Sequence, residues 1–125
     1  MIFKEYNPTS EKGSCIARSL SKAYNMNYLD TKKELEQLAN YLKKDDYRCE
    51  EVFENSLFNH GFSILNFKTN TLVKDLDLKK GIYVIYCYKE DFYHLAVIID
   101  NILYDRYETT LDLFTLKIYG LKEKI

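Results

Sequence analysis

The chain has 125 residues, 46% hydrophobic and 30% charged, a balance that supports one packed domain over residues 1–125 and excludes a disordered segment. Lys and Arg total 18 against 19 Asp and Glu, a net charge of -1 with no basic excess, so no nucleic acid is expected as a partner. No apolar run approaches the length of a bilayer span, and the first residues lack the basic head and long apolar middle of a secretory signal, so no membrane partner is expected either.

Residues 1–14 read as extended or looped, with Asn7, Pro8, Thr9, Ser10 and Gly13 supplying turn chemistry. A first helix is predicted from Ser14 or Cys15 to Tyr24, with Ser14 as N-cap and Ile16, Leu20 and Ala23 on one face. Asn25 and Asn27 break it. Thr31 and Glu34 have the spacing of a capping box, followed by an apolar stripe of Leu35, Leu38, Ala39 and Leu42 for a second helix. A third, from Cys49 to His60, buries Val52, Phe53 and Leu57 and ends at Gly61, a suitable left-handed C-terminal residue.

Beyond Gly61 the period becomes extended. Strands are predicted through Phe62, Ile64 and Phe67, from Gly81 to Tyr88, from Leu95 to Ile99, from Ile102 to Tyr107 and from Leu113 to Tyr119, with a short turn or helix at 72–78. Asp100-Asn101 suits a two-residue hairpin. Helices first and strands afterwards predict an α+β fold, with N-terminal helices packed on a C-terminal antiparallel sheet.

Two histidines limit the chemistry. His60 sits in the last turn of a helix, where the dipole favours a cation, and reads as structural. His94 leads into the hairpin. A two-residue turn pairs Ile99 with Ile102, Val97 with Tyr104, Ala96 with Asp105 and His94 with Tyr107. His94 and Asp105 then share a face as diagonal neighbours, roughly 7–8 Å apart at their α-carbons. Asp100 lies about 20 Å from His94 along the strand, so Asp105 is the acid that orients it. Small Ala96 leaves room beside His94 for the first helix.

The three cysteines lack metal-type spacing, which fits a reducing cytoplasm and leaves a free thiol. Cys15 at a helix start has unpaired amides and a favourable dipole to stabilise a thiolate, and His94 as a cationic partner. Cys49 competes but has Glu50 and Glu51 beside it, which oppose ionisation. Cys87, within an apolar strand, reads as core. Tyr107 reads as a shield or rim residue, and Arg18 as a residue that pairs with an acid under the helix or faces water.

The segment Gly13-Ser14-Cys15-Ile16-Ala17-Arg18-Ser19-Leu20-Ser21-Lys22-Ala23 resembles the nucleophile helix of small papain-like cysteine peptidases, including bacterial and phage proteins of the C39-like kind. His94 to Asp105 resembles their histidine strand and following hairpin, and the order Cys, His, acid agrees. The resemblance implies Cys15 as nucleophile, His94 as acid/base and Asp105 as orienting acid. Such relatives carry a Gln or Asn shortly before the Cys as a second oxyanion donor. Here the neighbouring positions offer Asn7, or the hydroxyls of Thr9 and Ser10.

The expected function is therefore a thiol hydrolase or acyltransferase acting on a peptide or isopeptide bond of a peptide or protein substrate, with no metal or organic cofactor implied. The alternative is a non-enzymatic, phage-type effector that grips a host protein through a tyrosine-rich surface on the same scaffold.

Overall fold

In the computed structural model, which describes residues 1–106 and 112–125, the chain is an α+β domain of three helices and a six-stranded mixed sheet. The elements follow as β1 (Ile2–Glu5), α1 (Cys15–Tyr24), α2 (Tyr28–Tyr41), α3 (Glu50–Asn59), β2 (Phe62–Ile64), β3 (Ile82–Lys89), β4 (Phe92–Ile99), β5 (Ile102–Asp105) and β6 (Lys117–Lys124). Short 3₁₀ turns lie at Val73–Asp75 and Leu113–Thr115. Across the sheet the order is β1-β5-β4-β3-β6-β2. Among the described residues no helix is long and apolar enough to cross a membrane.

The sheet departs from the antiparallel expectation at one edge. β1 pairs in parallel with β5, Ile2 opposite Ile102 and Glu5 opposite Asp105. A four-residue segment carries no signal of strand direction, and this pairing spans most of the chain, so local pattern missed it.

The helix boundaries also move. Asn25 in the left-handed region (φ +54) ends α1. Asn27 then caps α2, its side chain accepting from the Leu29 amide at 2.8 Å and the Asp30 amide at 3.4 Å. This starts α2 a turn before the predicted capping box, and Thr31 becomes an interior residue whose hydroxyl donates to the Asn27 carbonyl at 2.9 Å. The predicted strand 113–119 is instead a 3₁₀ turn capped by Asp112, followed by β6.

Both faces of the central strands are covered, which is why β3 and β4 read as continuous apolar runs. Val84, Tyr86, Leu95 and Val97 face the helices, packing with Ile16, Leu20, Leu35, Val52 and Leu57. Ile85, Cys87, Ala96, Ile98 and Leu103 face a second core closed by Val73, Leu113 and Leu116. Ala96 therefore makes no room for α1; it packs on the opposite side of the sheet. The expected register holds from the turn as far as Val97 opposite Tyr104, with Ile98 opposite Leu103 and Ile99 opposite Ile102, but the predicted Ala96–Asp105 pair is not part of the ladder. The predicted His94–Tyr107 pairing, and the role read for Tyr107, fall outside the described residues.

Candidate active site

The β4–β5 ladder stops at Val97–Tyr104, and α1 ties the two strands together there. Ser19 donates to the Leu95 carbonyl of β4 at 2.8 Å, while Arg18 donates to Asp105 of β5 through Nε at 3.2 Å and Nη2 at 2.9 Å. These bonds bring the first turn of α1, with Cys15, against His94.

Asp105 is 1% exposed and is shared by four donors. Its Oδ2 faces His94 Nε2 at 2.5 Å, and Oδ1 accepts from Arg18 and from the Arg106 amide at 2.7 Å. Burial alone would raise this carboxyl, but His94, Arg18 and the Arg106 amide together hold it below its ordinary value. With Nε2 committed to Asp105, Nδ1 is the ring nitrogen left for Cys15. Phe92 stacks on the imidazole at 5.6 Å and 16°, fixing the ring plane from the outer side.

Burial of His94 opposes its protonation, yet hydrogen bonds and charge from Asp105 and Cys15 prevail and push its pKa up to about 9. Cys15 is the mirror case. Burial works against the thiolate, but the His94 hydrogen bond and charge, the Leu95 amide and the Arg18 charge bring the pKa down. Each group thus favours the charged form of the other.

Ser14, expected to cap α1, makes no side-chain cap bond; its Oγ accepts from Arg18 Nη1 at 2.7 Å. Its hydroxyl therefore leaves the first-turn amides to serve an incoming oxygen. Asp105 and Ser14 fix the Arg18 fork, and Arg18 fixes Asp105.

A pocket of about 500 Å³ opens on Cys15 and His94, walled by Ile16, Phe53 and Leu95 and rimmed by Tyr93, Tyr119 and Arg48. Tyr119 owes its place to a β-bulge: the register passes from Tyr86–Gly120 to Cys87–Ile118, leaving Tyr119 unpaired and re-aimed. A β-carbon at Gly120 would lie 2.5 Å from the Tyr86 ring, so glycine permits this turn of the strand.

The predicted Cys15, His94 and Asp105 thus converge. Cys49 is the N-cap of α3 and does not line the pocket, and buried Cys87 donates to the His94 carbonyl at 3.4 Å, its thiol pushed up by burial. Asn7, Thr9 and Ser10 do not line the pocket either. His60 pairs with Glu34 at 2.5 Å and stacks on Tyr24, a separate structural contact.

Sequence reasoning missed the weight of Arg18. Its signal was present, since Cys15–Tyr24 carries only Arg18 and Lys22 as charges. A helix so poor in charge is buried on most sides, and a buried Arg requires an acid. Comparison of the chain with family models, with curated proteins and with solved structures gives no match.

Proposed function

We infer that the chain is a papain-like thiol hydrolase or acyltransferase acting on a peptide or isopeptide bond in a peptide or protein substrate. The observation that carries the reading is the Cys15–His94–Asp105 array at the floor of an open pocket. The Cys15 thiolate adds to a carbonyl carbon while His94, already protonated, stands ready to give its proton to the leaving nitrogen. Water or a second amine then resolves the thioester, with His94 as base. Asp105 keeps Nε2 protonated and Nδ1 toward the sulfur throughout. Three unpaired cysteines suit a reducing cytoplasm.

A second reading, a non-enzymatic effector of phage type that binds a host protein, draws on the exposed aromatics Phe92 and Tyr93 beside the pocket. Intact-mass measurement with a panel of acyl esters and peptide vinyl sulfones separates the two. Selective modification of Cys15, lost in Cys15→Ser and slowed in His94→Ala, supports the hydrolase. A Cys15 no more reactive than Cys49 would sink it and favour the effector.

A further inference from the structure

A group of N–H donors lies beside the start of α1, on the Arg48 side chain. Gly13 precedes the nucleophile helix with φ +67, and a β-carbon there would lie 2.8 Å from Arg48 Nη1. The guanidinium is thus laid against bare backbone two residues before Cys15, in a space that only glycine leaves open. Asp46 holds it in place, taking Nε at 3.1 Å and Nη2 at 2.9 Å. Among the described residues no hydrogen bond occupies Nη1. Gly13, Cys15 and Arg48 line the same pocket, where Asn7, Thr9 and Ser10 are absent.

Resting on the thiol-hydrolase reading, we propose that Arg48 is a catalytic residue, the second donor of the oxyanion site. Its Nη1 hydrogens complete the pair begun by the α1 amide. The pairing with Asp46 matters to the chemistry. It orients the fork and balances most of the charge, so the pocket gains directed N–H groups without an unpaired cation. The hydrogen bond and charge of Asp46 raise the Arg48 pKa further, so the guanidinium stays protonated beside the pocket.

In acyl transfer from p-nitrophenyl acetate, a bond forms between Cys15 Sγ and the carbonyl carbon as the carbonyl π pair moves onto oxygen. Arg48 and the α1 amide hold that oxyanion. Its collapse expels p-nitrophenolate and leaves acetyl-Cys15, which water hydrolyses to acetate and the free thiol. Alkylation by iodoacetamide displaces iodide at a saturated carbon and forms no oxyanion. The two reagents therefore divide the roles of thiolate and oxyanion site.

The test compares both reactions in the wild-type chain, Arg48→Ala and Arg48→Lys, with far-ultraviolet circular dichroism to verify folding. In Arg48→Ala the maximal acylation rate should fall roughly 10- to 100-fold, with half-saturation and iodoacetamide alkylation unchanged, a loss at the low end for an oxyanion donor. Arg48→Lys should recover part of the rate. Wild-type acylation in Arg48→Ala, or an equal fall in acylation and alkylation, would overturn the assignment while leaving the hydrolase intact. A wild-type chain that alkylates at Cys15 and never acylates would overturn both.

Discussion

Arg18 and Asp105 lie 87 positions apart in the chain and meet at 2.9 Å beneath α1, the side chains 4% and 1% exposed. The contact closes a relay in which Ser14 accepts from Arg18, Arg18 donates to Asp105, and Asp105 accepts from His94. One buried carboxylate thereby serves the fold and the site at once. It fastens α1 to β5 and sets the tautomer of the imidazole that faces Cys15.

Arg18→Met should therefore destabilise the chain by about 3–5 kcal/mol, the usual cost of stranding one member of a buried pair. Urea denaturation at pH 7 measures it. As a positioning residue, Arg18 should also affect Cys15 through Asp105, shifting the midpoint of the pH profile of thiol alkylation. A stability loss with an unmoved profile would confine Arg18 to the fold.

Asp105→Asn should abolish most acyl transfer, since an amide presents an N–H where Nε2 needs an acceptor, and should lower stability by leaving Arg18 without its anion. Asp100→Asn should stay within about 0.5 kcal/mol. Asp100 Oδ1 accepts from the Gly81 amide at 2.9 Å with φ +49, and asparagine meets both demands. A larger loss from the Asp100 change in paired activity and unfolding assays would refute this division of labour.

The hairpin was legible because period-2 alternation and the Asp100-Asn101 turn fix register from one short stretch, and register alone brought Asp105 to His94. The α1 boundary was legible through turn residues before Ser14 and the apolar spacing after it. What stayed hidden depends on contacts made after folding. β1 joins β5 across most of the chain, and Asn27 outcompetes Thr31 for the helix start by one turn. Arg48 reaches the pocket because the segment before α3 folds back against Gly13, which a loop residue flanked by Tyr47 and Cys49 does not announce.

Iodoacetamide should label Cys15 before Cys49 and Cys87 between pH 6 and 7, because Cys15 has a lowered pKa and is the cysteine that lines the pocket. Cys87 is buried with its thiol pushed up, and should react only on unfolding. Peptide mapping after a short pulse gives the order. In His94→Ala the rate at Cys15 below pH 7 should fall, since the cation that offsets burial of the thiolate is gone. An unchanged rate would dissolve the ion pair.

The same pair makes an unusual demand on stability against pH. His94 has a folded pKa near 9, above its ordinary 6.5, so its contribution is complete below 6.5 and is lost as pH rises through about 9. Cys15 is shifted down from 9.0, so its contribution is complete above that value and is lost as pH falls through the folded pKa. Over the overlap the folded chain holds imidazolium and thiolate, the unfolded chain neutral imidazole and thiol. Both hold the same number of protons, the two slopes oppose each other, and wild-type stability should be nearly flat. Cys15→Ser removes the rising limb and keeps the Asp105 bond that holds His94 protonated. Its stability should decline above pH 6.5, by at most about 1.4 kcal/mol per pH unit. Urea midpoints from pH 6 to 9.5 for the two chains decide it: parallel profiles would mean that proton transfer from Cys15 to His94 is not the resting state.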